Sequence, residues 1–106
     1  MTRQLLSTLF AAIFAAVAFA AAAGPAMASQ VHFRAQPIAP AAEARLVVRD
    51  TIFRCGDSGC AAARGSTRPE IICSVLAREV GQLASFSAGG RSFDADALEV
   101  CNRRAR

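Results

Sequence analysis

The stretch Arg45-Leu46-Val47-Val48-Arg49-Asp50-Thr51-Ile52-Phe53-Arg54-Cys55-Gly56-Asp57-Ser58-Gly59-Cys60 decides what kind of fold this chain can make. Residues 45–54 are rich in β-branched side chains and read as one long strand, bent at Asp50. Gly56-Asp57-Ser58-Gly59 then supplies four turn-forming residues between two cysteines. Ala61-Ala62-Ala63 can return as a short partner strand.

Downstream, the period changes from two to three and four. Thr67-Arg68-Pro69-Glu70 reads as a capping box, with Thr67 as N-cap, Pro69 in the first turn and Glu70 at N3. Ile71, Ile72, Cys73, Val75, Leu76 and Val80 share one helical face, while Glu70, Ser74 and Arg78 share the other. Gly81 is the expected terminator. Leu83 to Phe93 reads as a hairpin around Gly89-Gly90, with Ala88 opposite Arg91, Ser87 opposite Ser92 and Phe86 opposite Phe93. Asp94 then caps a second helix. Asp96 lies near that helix's positive end, Arg103, Arg104 and Arg106 lie near its negative end, and Cys101 falls on its apolar face. The sum is an α+β domain of antiparallel strands with two helices packed on one face.

Upstream, residues 1–28 hold 11 of the alanines, three of the phenylalanines and a single charge, Arg3. A basic start, an apolar run from Leu5 to Ala23, the breaker Gly24-Pro25 and the small-x-small site Ala26-Met27-Ala28 make a cleavable signal peptide. The expected destination is the periplasm or the medium. Anchorage by an uncleaved N-terminal helix is the competing reading. Ser29 to Ala44, with Pro37 and Pro40, reads as a flexible leader (29–44), and the folded domain is expected to span 45–106.

Composition sets the limits. The whole chain has 106 residues and a net charge of +4. A mature chain from Ser29 would lack one of its arginines, and all of its basic residues other than His32 are arginine. Such a length excludes a TIM barrel, a Rossmann dinucleotide-binding enzyme and any multidomain machine. A chain of this size buries only about 60–65% of its unfolded surface, so its core needs reinforcement. Four cysteines, spaced C-x4-C-x12-C-x27-C, supply it. Three pairings are open. The favoured one joins Cys55 to Cys60 across the tight turn and Cys73 to Cys101 between the two helices. A zinc site would want a C-x2-C knuckle, and a redox dithiol C-x-x-C; neither is present.

Other motifs yield to plainer explanations. Gly56-Asp57-Ser58-Gly59 matches the string around a serine-protease nucleophile, but the chain is too short for that machinery. Its one histidine, His32, lies in the expected leader. Asp94, Asp96 and Glu99 are accounted for by helix capping and the helix dipole. No catalytic, cofactor-binding or metal-binding residue is expected, and no enzyme activity. Arg64, Arg68, Arg91, Arg103 and Arg104 form the candidate binding surface, for an acidic envelope protein or, alternatively, an envelope polyanion. Nucleic acid is not expected, because no aromatics interleave with these arginines. Nor is membrane insertion after cleavage. The expected state is a monomer acting through protein–protein contact, for example as an inhibitor, and a small hydrolase is the remote alternative.

At Val48-Arg49-Asp50-Thr51 through Arg54-Cys55-Gly56-Asp57-Ser58-Gly59-Cys60, then at Arg64-Gly65-Ser66-Thr67-Arg68-Pro69, Cys73, Leu76-Ala77-Arg78-Glu79-Val80-Gly81, Phe86 and Cys101-Asn102, the chain resembles a family of small uncharacterised exported four-cysteine proteins of alphaproteobacteria. The order of the cysteines is the most specific part of the resemblance. It implies export and no particular activity.

Overall fold

A computed structural model describes residues 30–106. The signal peptide and cleavage site expected within residues 1–28 lie outside the described residues. The elements run β1 (Val31–Pro37), β2 (Arg45–Val48), β3 (Thr51–Gly56), β4 (Gly59–Ala63), α1 (Pro69–Val80), β5 (Leu83–Ala88), β6 (Arg91–Ser92) and α2 (Ala95–Asn102). The six strands form one sheet in the order β2-β3-β4-β1-β5-β6, and each neighbouring pair is antiparallel. The fold is α+β, as the element order predicts.

The expected leader is not a leader. Residues 31–37 form β1, which lies in the interior of the sheet between β4 and β5. The folded unit therefore begins before Arg45. Alternation explains it: Phe33, Ala35 and Pro37 are buried, while Arg34 and Gln36 between them are exposed. Pro37 sits at the strand's last position, where its missing N–H removes little from the ladder. His32 accordingly belongs to the sheet. Its ring meets Phe33 edge-on at 4.7 Å, and its carbonyl accepts from Gly89 N–H at 2.8 Å.

The long strand expected over 45–54 is instead the hairpin β2–β3, in register Val48 to Thr51 across a turn at Arg49-Asp50. Arg49 has φ 59°, a left-handed conformation that usually selects glycine. The carboxylate of Asp50 holds this turn in place. It accepts from the Ser66 N–H and hydroxyl, both at 2.6 Å, and from Thr67 Oγ1 at 2.8 Å. Thr51 Oγ1 adds a longer bond at 3.2 Å. These donors hold the Asp50 carboxyl well below the usual carboxylate range, with Ser66 contributing most. Gly65 leaves room for the clip: a Cβ there would stand 2.7 Å from an Asp50 oxygen and force the carboxylate to shift.

This clip also displaces the expected capping box. Thr67 donates its hydroxyl to Asp50, so the N-cap of α1 is Arg68, without a side-chain cap, and Pro69 becomes the first helical residue. The other end behaves as read: Gly81 closes α1 with φ 89°. Asp94 caps α2 by accepting from Ala97 N–H at 2.8 Å.

The core lies on one face of the sheet. Phe33, Phe53, Phe86, Val48 and Leu83 pack there against Ile72, Cys73, Leu76 and Ala77 of α1 and Cys101 of α2. Phe33 bridges Phe53 and Phe86, with ring centroids 6.1 and 5.9 Å away. Phe93 meets Phe86 edge-on at 4.8 Å, the aromatic pair expected of the hairpin. Burying a phenylalanine of this kind stabilises by about 1.5–3 kcal/mol. Cys73 and Cys101 join the helices inside this core, with Cα atoms 5.6 Å apart. Cys55 and Cys60 join β3 to β4 across the tight turn, with Cα atoms 4.1 Å apart. Both favoured pairings are therefore present.

One edge of the sheet is finished by a side chain. β6 is too short to cover all of β5, whose Leu83 is buried. Asn102 takes the missing strand's place: Leu83 N–H donates to its Oδ1 at 2.8 Å, and its Nδ2 donates to Leu83 O at 2.9 Å.

Candidate functional site: the uncovered face of the sheet

A strand turns alternate side chains to opposite faces, so the register fixes the composition of the face that no helix covers. Arg45 pairs with Arg54, Arg54 with Ala61, Ala61 with Arg34, Arg34 with Ser87 and Ser87 with Ser92. These six residues make one continuous row across all six strands. Its three arginines are exposed. Arg45 and Arg54 stand on adjacent strands, about 5 Å apart, and Arg54 and Arg34 stand two strands apart, about 10 Å, with Ala61 between them.

No strand carries an aspartate or glutamate; every acidic residue within 30–106 lies in a turn, loop or helix. The strands' charge is thus entirely basic. The side-chain hydrogen bonds found among the described residues come from serine, threonine and asparagine side chains and from backbone N–H groups, none from an arginine. On one side of the row, Arg34, Gln36, Ser85, Ser87 and Ser92 line a polar concavity of about 310 Å³. On the other, Val31, Ile52, Arg54, Ala61 and Ala63 line a more apolar one of about 260 Å³. Val47 and Ile52, a cross-strand pair, are 64% and 44% exposed, so aliphatic surface adjoins the guanidinium groups.

The arginines singled out from the sequence lie elsewhere, and the structure divides them. Arg64 and Arg68 border a concavity with His32 and Phe33. Arg91 is exposed at the start of β6, and Arg103 is the exposed C-cap of α2. Arg104 borders a different hollow, with Arg49, Arg78 and Arg106. Arg45 and Arg54 come together on the β2–β3 hairpin, but only the long-range pairing of β1 with β4 adds Arg34 to their row. The one local signal for them was the exposed-position alternation in residues 31–37 and 51–55.

The remaining candidates have structural work. Gly56-Asp57-Ser58-Gly59 is the turn of the β3–β4 hairpin, closed by the disulfide. Ser58 and His32 border different concavities. Among the described residues, no group of three or more His, Cys, Asp or Glu is placed to hold a metal ion, and no helix is long and apolar enough to cross a membrane.

These features define a class: a small α+β domain, stapled by two disulfides, with one sheet face packed and the other open. The chain belongs to a family described as a family of unknown function (DUF8200), whose model matches residues 17–103. No curated protein and no solved structure matches it.

Proposed function

We propose that this protein is an exported, non-enzymatic binding module that takes an acidic protein partner on the uncovered face of its sheet. The observation that carries the reading is the row Arg45–Arg54–Ala61–Arg34, on strands that hold no carboxylate. A cationic row on strands that carry no carboxylate favours a partner that supplies one. Arginine beside Val47 and Ile52 favours a protein over a simple polyanion, because arginine and desolvated apolar groups together typify protein interfaces. Two disulfides support export to an oxidising compartment such as a periplasm, in keeping with the N-terminal sequence. The four-cysteine resemblance to exported alphaproteobacterial proteins supports the same destination.

The test is capture from an envelope extract with three baits: wild type, Arg34→Glu/Arg54→Glu and Arg64→Glu/Arg68→Glu. The proposal predicts an acidic protein retained by the first and third and lost by the second. Equal retention by all three would reject the sheet face as the site.

A further inference from the structure

The hollow at the end of α1 stands apart from the sheet face. Its volume is about 630 Å³, and Arg49, Arg78, Arg104 and Arg106 all line it. They come from three separate parts of the chain: the β2–β3 turn, the last turn of α1 and the segment after α2. All four are exposed. The nearby supply of negative charge is small. Glu79 is the one carboxylate side chain lining the hollow, and the C-terminus of α1 contributes roughly half a negative charge. The lining side chains and the helix end together sum to about +2.5, a figure that leaves out the Asp50 carboxylate on the residue next to Arg49.

The turn at residue 49 adopts φ 59°, where glycine is favoured, yet the residue there is an arginine that borders the hollow. The Asp50 clip to Ser66 and Thr67 fixes that turn beside α1. Guanidinium groups suit tetrahedral oxyanions, since each can present two parallel N–H donors to two oxygens.

We propose that this hollow is a binding site for a phosphate-monoester dianion, held by Arg49, Arg78 and Arg104. The same chemistry could be presented by a free phosphate compound or by a phosphorylated lipid headgroup. The site is distinct from the sheet face and does not depend on the function proposed for it.

The experiment follows the arginine Nε–H resonances of the purified protein by NMR. Inorganic phosphate is titrated in, with sodium chloride at matched ionic strength as the control. The expected result is saturable shifts at Arg49, Arg78 and Arg104 under phosphate, with a Kd on the order of 1 mM. Arg78→Gln/Arg104→Gln should weaken that affinity at least about tenfold while leaving the unfolding midpoint unchanged. Arg34→Gln/Arg54→Gln should leave it intact. Co-sedimentation with phosphatidate vesicles, against phosphatidylcholine vesicles, identifies the source. Binding to the former supports the site with a lipid headgroup as ligand; phosphate binding without vesicle binding supports it with a free phosphate compound. Shifts that chloride reproduces, or undiminished affinity in Arg78→Gln/Arg104→Gln, would overturn the assignment.

Discussion

Removing the Cys73–Cys101 bridge should cost more than removing Cys55–Cys60, by an amount that follows from where each lies in the chain. The first closes a loop with sequence separation 28, the second one with separation 5. Loop-closure entropy then gives about 3.6 kcal/mol for the long bridge and about 2.2 kcal/mol for the short one. Cys73 and Cys101 are also fully buried, so Cys73→Ala/Cys101→Ala adds a packing loss to the entropic one. For a domain of this size each kcal/mol moves Tm by about 4–8 °C. The double variant should therefore melt at least about 14 °C lower, and Cys55→Ala/Cys60→Ala about 9–18 °C lower. Urea unfolding at equilibrium, followed by circular dichroism, gives both differences directly. A short-bridge variant as damaged as the long-bridge one, or more so, would refute the assignment of the helix–helix staple as the main reinforcement.

Three further outcomes follow from the same structure. A chain beginning at Arg45 lacks β1, the strand that joins the β2–β3–β4 meander to β5, and should show no dispersed NMR spectrum; a folded product would contradict the central placement of Val31–Pro37. Asn102→Ala leaves Leu83 N–H and C=O without partners at a buried position and should destabilise by about 2 kcal/mol in urea unfolding; a loss under about 0.5 kcal/mol would show that water replaces the amide. Asp50 has a folded pKa below its unfolded one, so its contribution is complete above about pH 4 and declines as pH falls below that. Asp50→Asn should therefore lower stability at neutral pH and flatten its decline in acid, as read from unfolding midpoints across the acid range; parallel curves for variant and wild type would exclude the clip.

Local chemistry in the sequence announced much of this fold. Gly81, Asp94, Gly89-Gly90 and the Cys55–Cys60 turn each sit where a specific residue type was needed, and each ended or began its element as read. The misreadings have physical causes. Arg49-Asp50 lacks the glycine or asparagine that marks a two-residue hairpin turn, because the Asp50 clip, a contact 16 residues away in sequence, enforces the turn instead. The same contact takes Thr67 away from its capping role. For β1, the prolines at 37 and 40 masked a two-residue alternation that was already written in Val31, Phe33, Ala35 and Pro37. The arginine row on the uncovered face was the least legible feature. Arg34 and Arg54 meet in one row, two strands apart, only because β1 and β3 both pair with β4, and no spacing in the sequence encodes the β1–β4 pairing.

That meeting is what the functional account rests on, and arginine-selective footprinting of the partner complex tests it most directly. The modified sites are read by mass spectrometry with and without the captured partner. Protection of Arg34, Arg45 and Arg54 is expected, with Arg64, Arg68, Arg91 and Arg103 still reactive. Protection of the second group, with the sheet-face arginines left reactive, would contradict the functional account.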